Sequence, residues 1–190
     1  RNPITAAMAQ LEIYRETGDE DRLDDLDGVL DRMVELVDDL LVLARQGEPI
    51  ADTESVGLRS VAEQAWDYVD TGSGELVFED DLKTLSADPS RLTQLFENLF
   101  RNSVEHGGPD VRIGVGGYDS VFYVEDDGPG IPEDQRESVF EHGYTSQTEG
   151  TGFGLAIVEG IAEAHGWSVR ATDGRDDGGA RFEFDTDPVD

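Results

Sequence analysis

A carboxylate followed by two closely spaced glycines is the part of the sequence best suited to bind a ligand. In the stretch Phe122–Ile131, alternating apolar residues typical of a strand run into Glu-Asp-Asp-Gly-Pro-Gly. Such a strand brings Asp126 to the edge of a sheet, and Gly128 and Gly130 allow the backbone to turn and a ligand to approach. Because an ionised carboxylate only accepts hydrogen bonds, Asp126 suits a flat ligand with an exocyclic amine. A surface turn is the alternative interpretation.

Two further stretches carry polar groups in regular arrangements. Asn98, Asn102 and His106 recur every four residues, so a helix there places them on one face. Downstream, the glycine-rich sequence 150–154 leads directly into a predicted helix over residues 155–165. Backbone amides at the start of such a helix favour phosphate. Amides on the surface of an ordinary helix are the alternative interpretation of the two asparagines.

The order of these stretches resembles the N, G1 and G2 boxes of a known ATPase domain. Sensor histidine kinases, gyrase-type ATPases and Hsp90 chaperones share that domain, and within this superfamily the sequence is most similar to the histidine kinases. The resemblance covers roughly residues 50–186 and includes Val139–Tyr144 as the F box. Three ordered motifs at the family's spacing are far more specific than a single glycine pattern.

The resemblance implies a role for each box, with ATP and Mg²⁺ as the bound cofactors. Asp126 is expected to accept a hydrogen bond from the adenine amine, with Gly128 and Gly130 shaping that pocket. Asn102 is the expected Mg²⁺ ligand, because a neutral amide oxygen suits an ion otherwise held by phosphate and water. The remaining expected nucleotide contacts are Asn98, His106, Gly150, Thr151, Gly152, Gly154 and Leu155.

Two positions differ from those of relatives in the superfamily. Hydrolysing members carry a glutamate general base one turn before the Mg²⁺ asparagine, where this sequence has Asn98. Water attack needs such a base within reach, and the neighbouring Glu97 points about 100° away around the helix. Glu105 stands where histidine kinases often have a basic residue, which removes one expected phosphate contact. We therefore expect the site to bind ATP and to hydrolyse it poorly.

The first three residues resemble the end of another kinase motif. Arg1-Asn2-Pro3 matches the tail of the H box, His-Glu-x-Arg-Asn-Pro, so the phosphorylated histidine would lie three residues before Arg1. The chain's own three histidines fall in the predicted ATPase domain and are not expected to be acceptors. Asn2 resembles the residue that helps to position water when a partner response regulator is dephosphorylated. A helix-start asparagine before proline is the alternative.

Residues 1–46 are predicted to form a helical hairpin that serves for dimerisation. Apolar residues in 4–16 fall on one side of a first helix. After a break, apolar residues recur in alternating steps of three and four from Leu23 to Ala44, which is a heptad pattern. Two such hairpins can form a four-helix bundle, giving a homodimer through residues 4–46. A hairpin packed on its own ATPase domain is the alternative.

The expected fold class is α+β, with the helical hairpin followed by a linker over residues 47–57 and an ATP-binding domain over residues 58–186. The resemblance implies a Bergerat-type α/β sandwich, in which a mixed sheet carries three helices on one face. Residues 141–150 are polar and are predicted to form a lid. Asp88 and Pro89 predict the N-cap and first turn of the asparagine helix. Other predicted helices are 58–69 and 132–139, and the predicted strands are 75–79, 83–87 (across an Asp-Asp turn), 111–115, 121–125, 168–172 and 181–184.

The composition excludes several classes of partner. The formal net charge is −30, from 44 acidic and 14 basic residues, so nucleic acid and anionic membrane surfaces would be repelled. There is no cysteine, which excludes disulfides and thiolate metal sites. No apolar run approaches the roughly 20 residues of a membrane span. We expect a cytoplasmic chain, with a membrane segment before residue 1 left open. The evenly spread acid resembles proteins of salt-accumulating, halophilic archaea.

The sequence is thus interpreted as the catalytic core of a two-component sensor histidine kinase. The resemblance implies that the γ-phosphoryl group of Mg-ATP passes to a histidine upstream of residue 1. From there it would pass to the receiver domain of a response regulator, the expected partner. Two alternatives are a nucleotide-binding interaction module without transfer activity, and a serine kinase or ATPase of the same superfamily.

The high net charge predicts that the stability of the fold depends on salt. Repulsion among carboxylates acts over long distances at low ionic strength and is screened within about 3 Å near 1 M salt. The melting temperature measured by circular dichroism should therefore fall when the protein is dialysed from concentrated to dilute salt. A melting temperature that does not change with salt would contradict the halophile interpretation.

Overall fold

The computed structural model describes residues 3–30, 33, 50, 52–79, 82–141, 152–175 and 178–187. The chain divides into two compact units, Arg1–Ala44 and Arg45–Asp190. None of the helices in the described ranges combines the length and the apolar character that a membrane span requires.

The first unit contains two helical stretches separated by a break at Gly18. The first helix, α1, spans Pro3–Thr17, and the second, α2, is described over residues 21–30. The break is closed locally, because the Gly18 N–H donates to the Tyr14 carbonyl at 2.8 Å and Gly18 adopts a φ of 67°. No residue of α1 is buried in this unit. The heptad positions after Met33 lie outside the described residues, so the hairpin and the dimer stay predictions.

The central element of the second unit is a mixed sheet of five strands. The strands described in this unit are β1 (Glu54–Gly57), β2 (Glu75–Phe78), β3 (Thr84–Ala87), β4 (Arg112–Tyr118), β5 (Val121–Asp126), β6 (Ser168–Asp173) and β7 (Ala180–Asp185). The five-stranded sheet has the order β2-β4-β5-β7-β6. β2 runs parallel to β4 and the other neighbours are antiparallel. β5 is the middle strand, so its last residue, Asp126, lies at the centre of one sheet edge.

β1 and β3 form a separate antiparallel pair, which differs from two sequence-based expectations. Residues 54–57, expected to be linker, form β1. The strands on either side of Asp80-Asp81 were expected to face each other across a turn, but β2 pairs with β4. Burial explains the difference, because β3 buries Ala87 beside β1 while β2 gains a full backbone ladder along β4. Adjacency in sequence alone favoured the wrong pairing.

Three helices cover the sheet through an aromatic core. They are α3 (Leu58–Tyr68), α4 (Pro89–Gly107) and α5 (Gly154–Ala164), and α4 lies between the other two. The ring of Phe96 on α4 lies 6.1 Å from that of Phe122 on β5, and Phe122 stacks on Phe184 of β7 at 4.6 Å. Trp66 of α3 meets Phe100 edge-on at 5.4 Å. The core therefore fixes α4 directly over the middle of the sheet.

The start of α4 is tied to the end of α5. Asp88 caps α4 as predicted, with Oδ1 accepting from the N–H groups of Ser90 and Arg91 at 2.9 and 3.2 Å. The N–H of Asp88 donates to Nε2 of His165 at 3.0 Å. The other ring nitrogen of His165, Nδ1, lies 2.8 Å from the Ile161 carbonyl. Since Nε2 must accept, Nδ1 carries the proton and the ring is neutral.

His165 predicts a loss of stability in mild acid. Burial lowers its pKa from the ordinary value of 6.5; the Ile161 carbonyl and Asp88 raise it, and Arg91 lowers it. The imidazole of His165 therefore binds a proton more tightly in the unfolded chain than in the folded protein. The free energy of unfolding should be highest above about pH 6.5 and should fall as the pH drops below that value.

The measurement is urea unfolding between about pH 8 and about pH 5.5 for the protein and for His165→Gln. The glutamine cannot titrate, and carboxylates contribute equally to both proteins. The wild type should lose more stability than the variant over this range. Parallel pH profiles would exclude this role for His165.

Candidate functional site

Asp126 is held by three hydrogen bonds from three parts of the chain. Its Oδ2 accepts from the Ser103 hydroxyl on α4 at 3.0 Å. Its Oδ1 accepts from the N–H groups of Gly128 and Ala180 at 3.0 and 3.1 Å. An ionised carboxylate offers about four acceptor positions. Three are therefore used, and one, on Oδ2, remains for a ligand.

Two of these donors were not predicted from the sequence. Ser103 is 3% exposed and interrupts the buried apolar stripe of Leu92, Phe96 and Leu99 on α4. A lone hydroxyl in such a stripe is a signal that could have identified it, because a buried polar group needs a partner. Ala180 acts through its backbone, so its side chain carries no signal.

The glycines after Asp126 serve close packing of the backbone. A Cβ at Gly128 would lie 3.0 Å from Asp126 Oδ1 and 3.1 Å from the Cα of Gly107, the last residue of α4. Gly130 has a φ of 72°, and a Cβ there would lie 2.8 Å from the Gly179 carbonyl oxygen. Both sites therefore favour glycine because segments of the protein meet there, in addition to any approach by a ligand.

The two asparagines of α4 face the first residue of α5. A Cβ added to Gly154 would lie 3.3 Å from the side-chain oxygens of both Asn98 and Asn102. Asn98 is 5% exposed, and its Nδ2 donates to the Gln94 carbonyl at 2.9 Å, which fixes its amide plane. Within the described residues, the buried Nδ2 of Asn102 has no hydrogen-bond partner. Such a group costs about 1–3 kcal/mol, so a polar ligand fits this position.

The start of α5 supplies the third side of the site. Gly152 has a φ of 72°, and the helix begins at Gly154, so the N–H groups of its first turn, with that of Leu155 among them, are directed out of the helix end. Gly150 and Thr151 lie outside the described residues, as does most of the predicted lid. This helix start, directly beside the asparagine amides, can receive an anion and its counter-ion.

Two predicted site residues remain, His106 and Asn2. His106 is exposed in the last turn of α4, and Asn2 lies outside the described residues. In the described ranges no group of three acidic, histidine or cysteine side chains could hold a metal. Asn102 would therefore have to share a Mg²⁺ ion with oxygens of the ligand itself and with water, a ligand set that Mg²⁺ accepts.

Glu97 precedes Asn98 on α4 and is the nearest carboxyl in sequence to the asparagine pair. Burial raises the pKa of this carboxyl, and the charge of Arg101 opposes the shift. Among the described residues it makes no hydrogen bond to the Asn98 or Asn102 side chain. The position one turn before Asn102 thus holds an amide locked to Gln94, and an amide does not accept a proton from water.

After β5, the predicted helix 132–139 is replaced by two short 3₁₀ turns, Glu133–Gln135 and Ser138–Phe140. Arg136 explains the interruption, because its Nε donates to the Ile131 carbonyl at 3.1 Å and its guanidinium pairs with Asp173 of β6. These bonds draw the segment toward the sheet.

A family profile described as "Histidine kinase-, DNA gyrase B-, and HSP90-like ATPase" matches residues 87–189. The match begins one residue before the cap of α4 and includes Asn98, Asn102, Asp126 and Gly154. It leaves out β1, α3 and β2.

Similar proteins include sensor histidine kinases, some of which are much longer than this chain. The sensor histidine kinase ZraS of Salmonella typhimurium is 33% identical over 151 residues, which cover 74% of this chain and 32% of that protein. The solved structure of full-length ShkA in complex with AMPPNP is 31% identical, with a TM-score of 0.66, covering 94% of this chain and 41% of ShkA. The histidine kinase AdeS of Acinetobacter baumannii matches in fold, with a TM-score of 0.76, 20% identity, and coverage of 97% of this chain and 94% of AdeS. This chain therefore spans about a third of ZraS.

The comparisons do not support the expectation of a halophilic archaeal protein. ZraS and AdeS come from bacteria, as do similar proteins from Streptomyces coelicolor and Serratia marcescens. The acidic composition alone carried that expectation, and net charge is a property of the surface that does not identify a lineage.

Proposed function

The chain belongs to the histidine kinase-, DNA gyrase B- and HSP90-like ATPases, and from this premise we propose that it is the catalytic core of a two-component sensor histidine kinase. The observation that carries the proposal is the meeting of Asn98, Asn102 and the start of α5, with Asp126 held nearby at the end of β5. The kinase relatives support the histidine kinase branch of the family, and ShkA, solved with AMPPNP, supports a triphosphate ligand.

In this proposal the site contacts the nucleotide at its adenine base and at its phosphates. The open acceptor position on Asp126 Oδ2 takes the exocyclic amine of adenine, while the Ser103 hydroxyl keeps the carboxylate from rotating. The N–H groups at the start of α5 take phosphate oxygens. Asn102 would hold Mg²⁺ through its amide oxygen, and the ion would neutralise charge on the phosphates.

The site is suited to transfer rather than to hydrolysis. In-line attack on the γ-phosphate needs a positioned nucleophile, and water needs a base to activate it. Asn98 occupies the position where hydrolysing relatives are expected to have that base, and its amide is engaged with Gln94. A histidine brought from another part of the protein supplies its own lone pair and needs no such base.

The acceptor histidine lies outside the described ATPase domain in this proposal. His165 is unsuitable because both of its ring nitrogens are engaged, with Asp88 and Ile161. We place the acceptor three residues before Arg1, as the H-box resemblance implies. The hairpin of residues 4–46 would carry it in a homodimer and present it to the response regulator, with Asn2 beside it.

The first prediction from this proposal concerns adenine binding. Asp126→Asn should weaken ATP binding by about 1–3 kcal/mol, because one side-chain oxygen becomes an NH₂ group facing the adenine amine. Titration calorimetry with Mg-ATP measures the change. Asp127→Asn is the matched control, since it removes the same charge from the next residue, which is exposed and accepts a hydrogen bond from the Arg112 N–H. Equal ATP affinity in the two variants would refute the assignment of Asp126.

The second prediction concerns phosphoryl transfer. A chain extended at its N-terminus to include the expected H-box histidine should become labelled from ATP carrying radioactive γ-phosphate. The label should be acid-labile and base-stable, as a phosphoramidate is. Asn102→Ala should abolish labelling because the Mg²⁺ ligand is lost while the acceptor is intact. The 190-residue chain alone should not be labelled.

Two outcomes would contradict the kinase proposal or part of it. If the encoded protein has no histidine three residues before Arg1, the nucleotide-binding module without transfer activity becomes the better interpretation. If the 190-residue chain labels one of its own histidines, the enzyme class stands and the placement of the acceptor is wrong.

A further inference from the structure

A buried carboxylate lies on the face of the sheet that points away from Phe122. Side chains alternate along a strand, so Glu125 and Tyr123 of β5 occupy the face opposite the aromatic core. Glu125 is nevertheless 6% exposed. Arg181 of β7 covers it, with Nε 2.8 Å from Glu125 Oε2 and its guanidinium 4.0 Å from the centre of the Tyr123 ring.

Arg175 adds a second cover, and it comes from the turn between β6 and β7. Its guanidinium pairs with Glu79 at the end of β2, and its Nη2 donates to the Tyr123 hydroxyl at 3.2 Å. Its backbone N–H donates to Glu125 Oε2, also at 3.2 Å. The side chains of Glu79 and Glu125 are only 9% and 7% exposed, whereas that of Arg175 is 53% exposed. Water therefore screens part of this ion pairing, and the turn is held to β2 and β5 by the ion pair together with the hydrogen bonds to Tyr123 and Glu125.

The same turn rests directly on Asp126. The Gly174 N–H donates to the Gly179 carbonyl at 3.2 Å, which closes the turn. Gly179 has a φ of 74°, and a Cβ there would come within 1.7 Å of the Asp126 carbonyl oxygen. The next residue, Ala180, donates its N–H to Asp126 Oδ1. The turn thus contacts the outer carboxylates through Arg175, and it leads directly into Ala180 of β7, which contacts the ligand-facing carboxylate.

We propose that Arg175 is a positioning residue for adenine recognition, acting through the β6–β7 turn on the carboxylate of Asp126. This inference rests on the proposed role of Asp126 in binding the adenine amine. The turn contains Gly174, Gly178 and Gly179, and without a clamp these glycines leave its backbone many accessible conformations. Arg175 ties it to β2 and β5, which keeps the Ala180 N–H on Oδ1 and leaves Oδ2 directed at the ligand.

The consequence is discrimination between purine bases. Inosine triphosphate carries a carbonyl where ATP carries the amine, so a fixed carboxylate faces an acceptor with an acceptor and rejects it. A carboxylate that can rotate loses part of its bond to the amine and also turns away from the carbonyl. Loosening the turn should therefore reduce the preference for ATP over inosine triphosphate, beyond any effect on fold stability.

The test is Arg175→Gln, with affinities for Mg-ATP and Mg-inosine triphosphate measured by calorimetry well below the melting temperature. The ratio of the two affinities should fall by about three- to tenfold, since part of a charge-assisted hydrogen bond is lost. Arg170→Gln is the matched control. Arg170 is 68% exposed and pairs with Glu183 on the same face at 2.6 Å, but it belongs to β6 and not to the turn. Its ratio should equal that of the wild type.

The outcomes separate the inference from the function on which it rests. A lower melting temperature for Arg175→Gln with an unchanged ratio would assign Arg175 a structural role only and overturn the inference. An equal fall of the ratio in Arg170→Gln would also overturn it, because the effect would then follow from charge alone. If the wild type binds both triphosphates equally well, the proposed adenine contact of Asp126 is itself wrong.

Discussion

The carboxylate of Asp126 is the group on which the arrangement of the candidate site depends. Its three hydrogen bonds come from α4, from the turn after β5 and from the start of β7. A half-buried carboxylate without these donors would turn toward water to find hydrogen-bond partners. Each donor segment is therefore held in register by the same ionised group, and the aromatic core below it keeps α4 and β5 at the required separation.

The sequence predicts those helices and strands for which the local residue types and the pattern of apolar residues indicate the same structure. Asp88-Pro89 followed by regularly spaced apolar residues identifies α4, and the alternation around Phe122 identifies β5. The pairing of β2 could not be predicted, because Asp80-Asp81 is compatible with a hairpin and with a crossing between two sheets. Only the burial of Ala87 and the ladder along β4 distinguish the two.

In the candidate site, too, the sequence predicts some of the residues and misses others. Asn98, Asn102 and Asp126 are side chains whose types and spacing suggest chemistry, and the structure brings the two asparagines against the start of α5. The donors that orient Asp126 are different in kind. Ser103 resembles an ordinary core residue until its partner is known, and Ala180 contributes only an N–H group. Residues that hold a functional group in place are set by the tertiary fold, which a motif does not encode.

Because Asp88 is hydrogen-bonded to His165, α5 is held differently at its two ends. The helix is anchored at its C-terminal end to the cap of α4, whereas its first residue, Gly154, has no side chain to interlock with Asn98 and Asn102. With a rise of about 1.5 Å per residue, the 11-residue helix is about 16 Å long. In the proposed function, a phosphate bound at the glycine end would therefore lie at the end of α5 farthest from its anchor at His165.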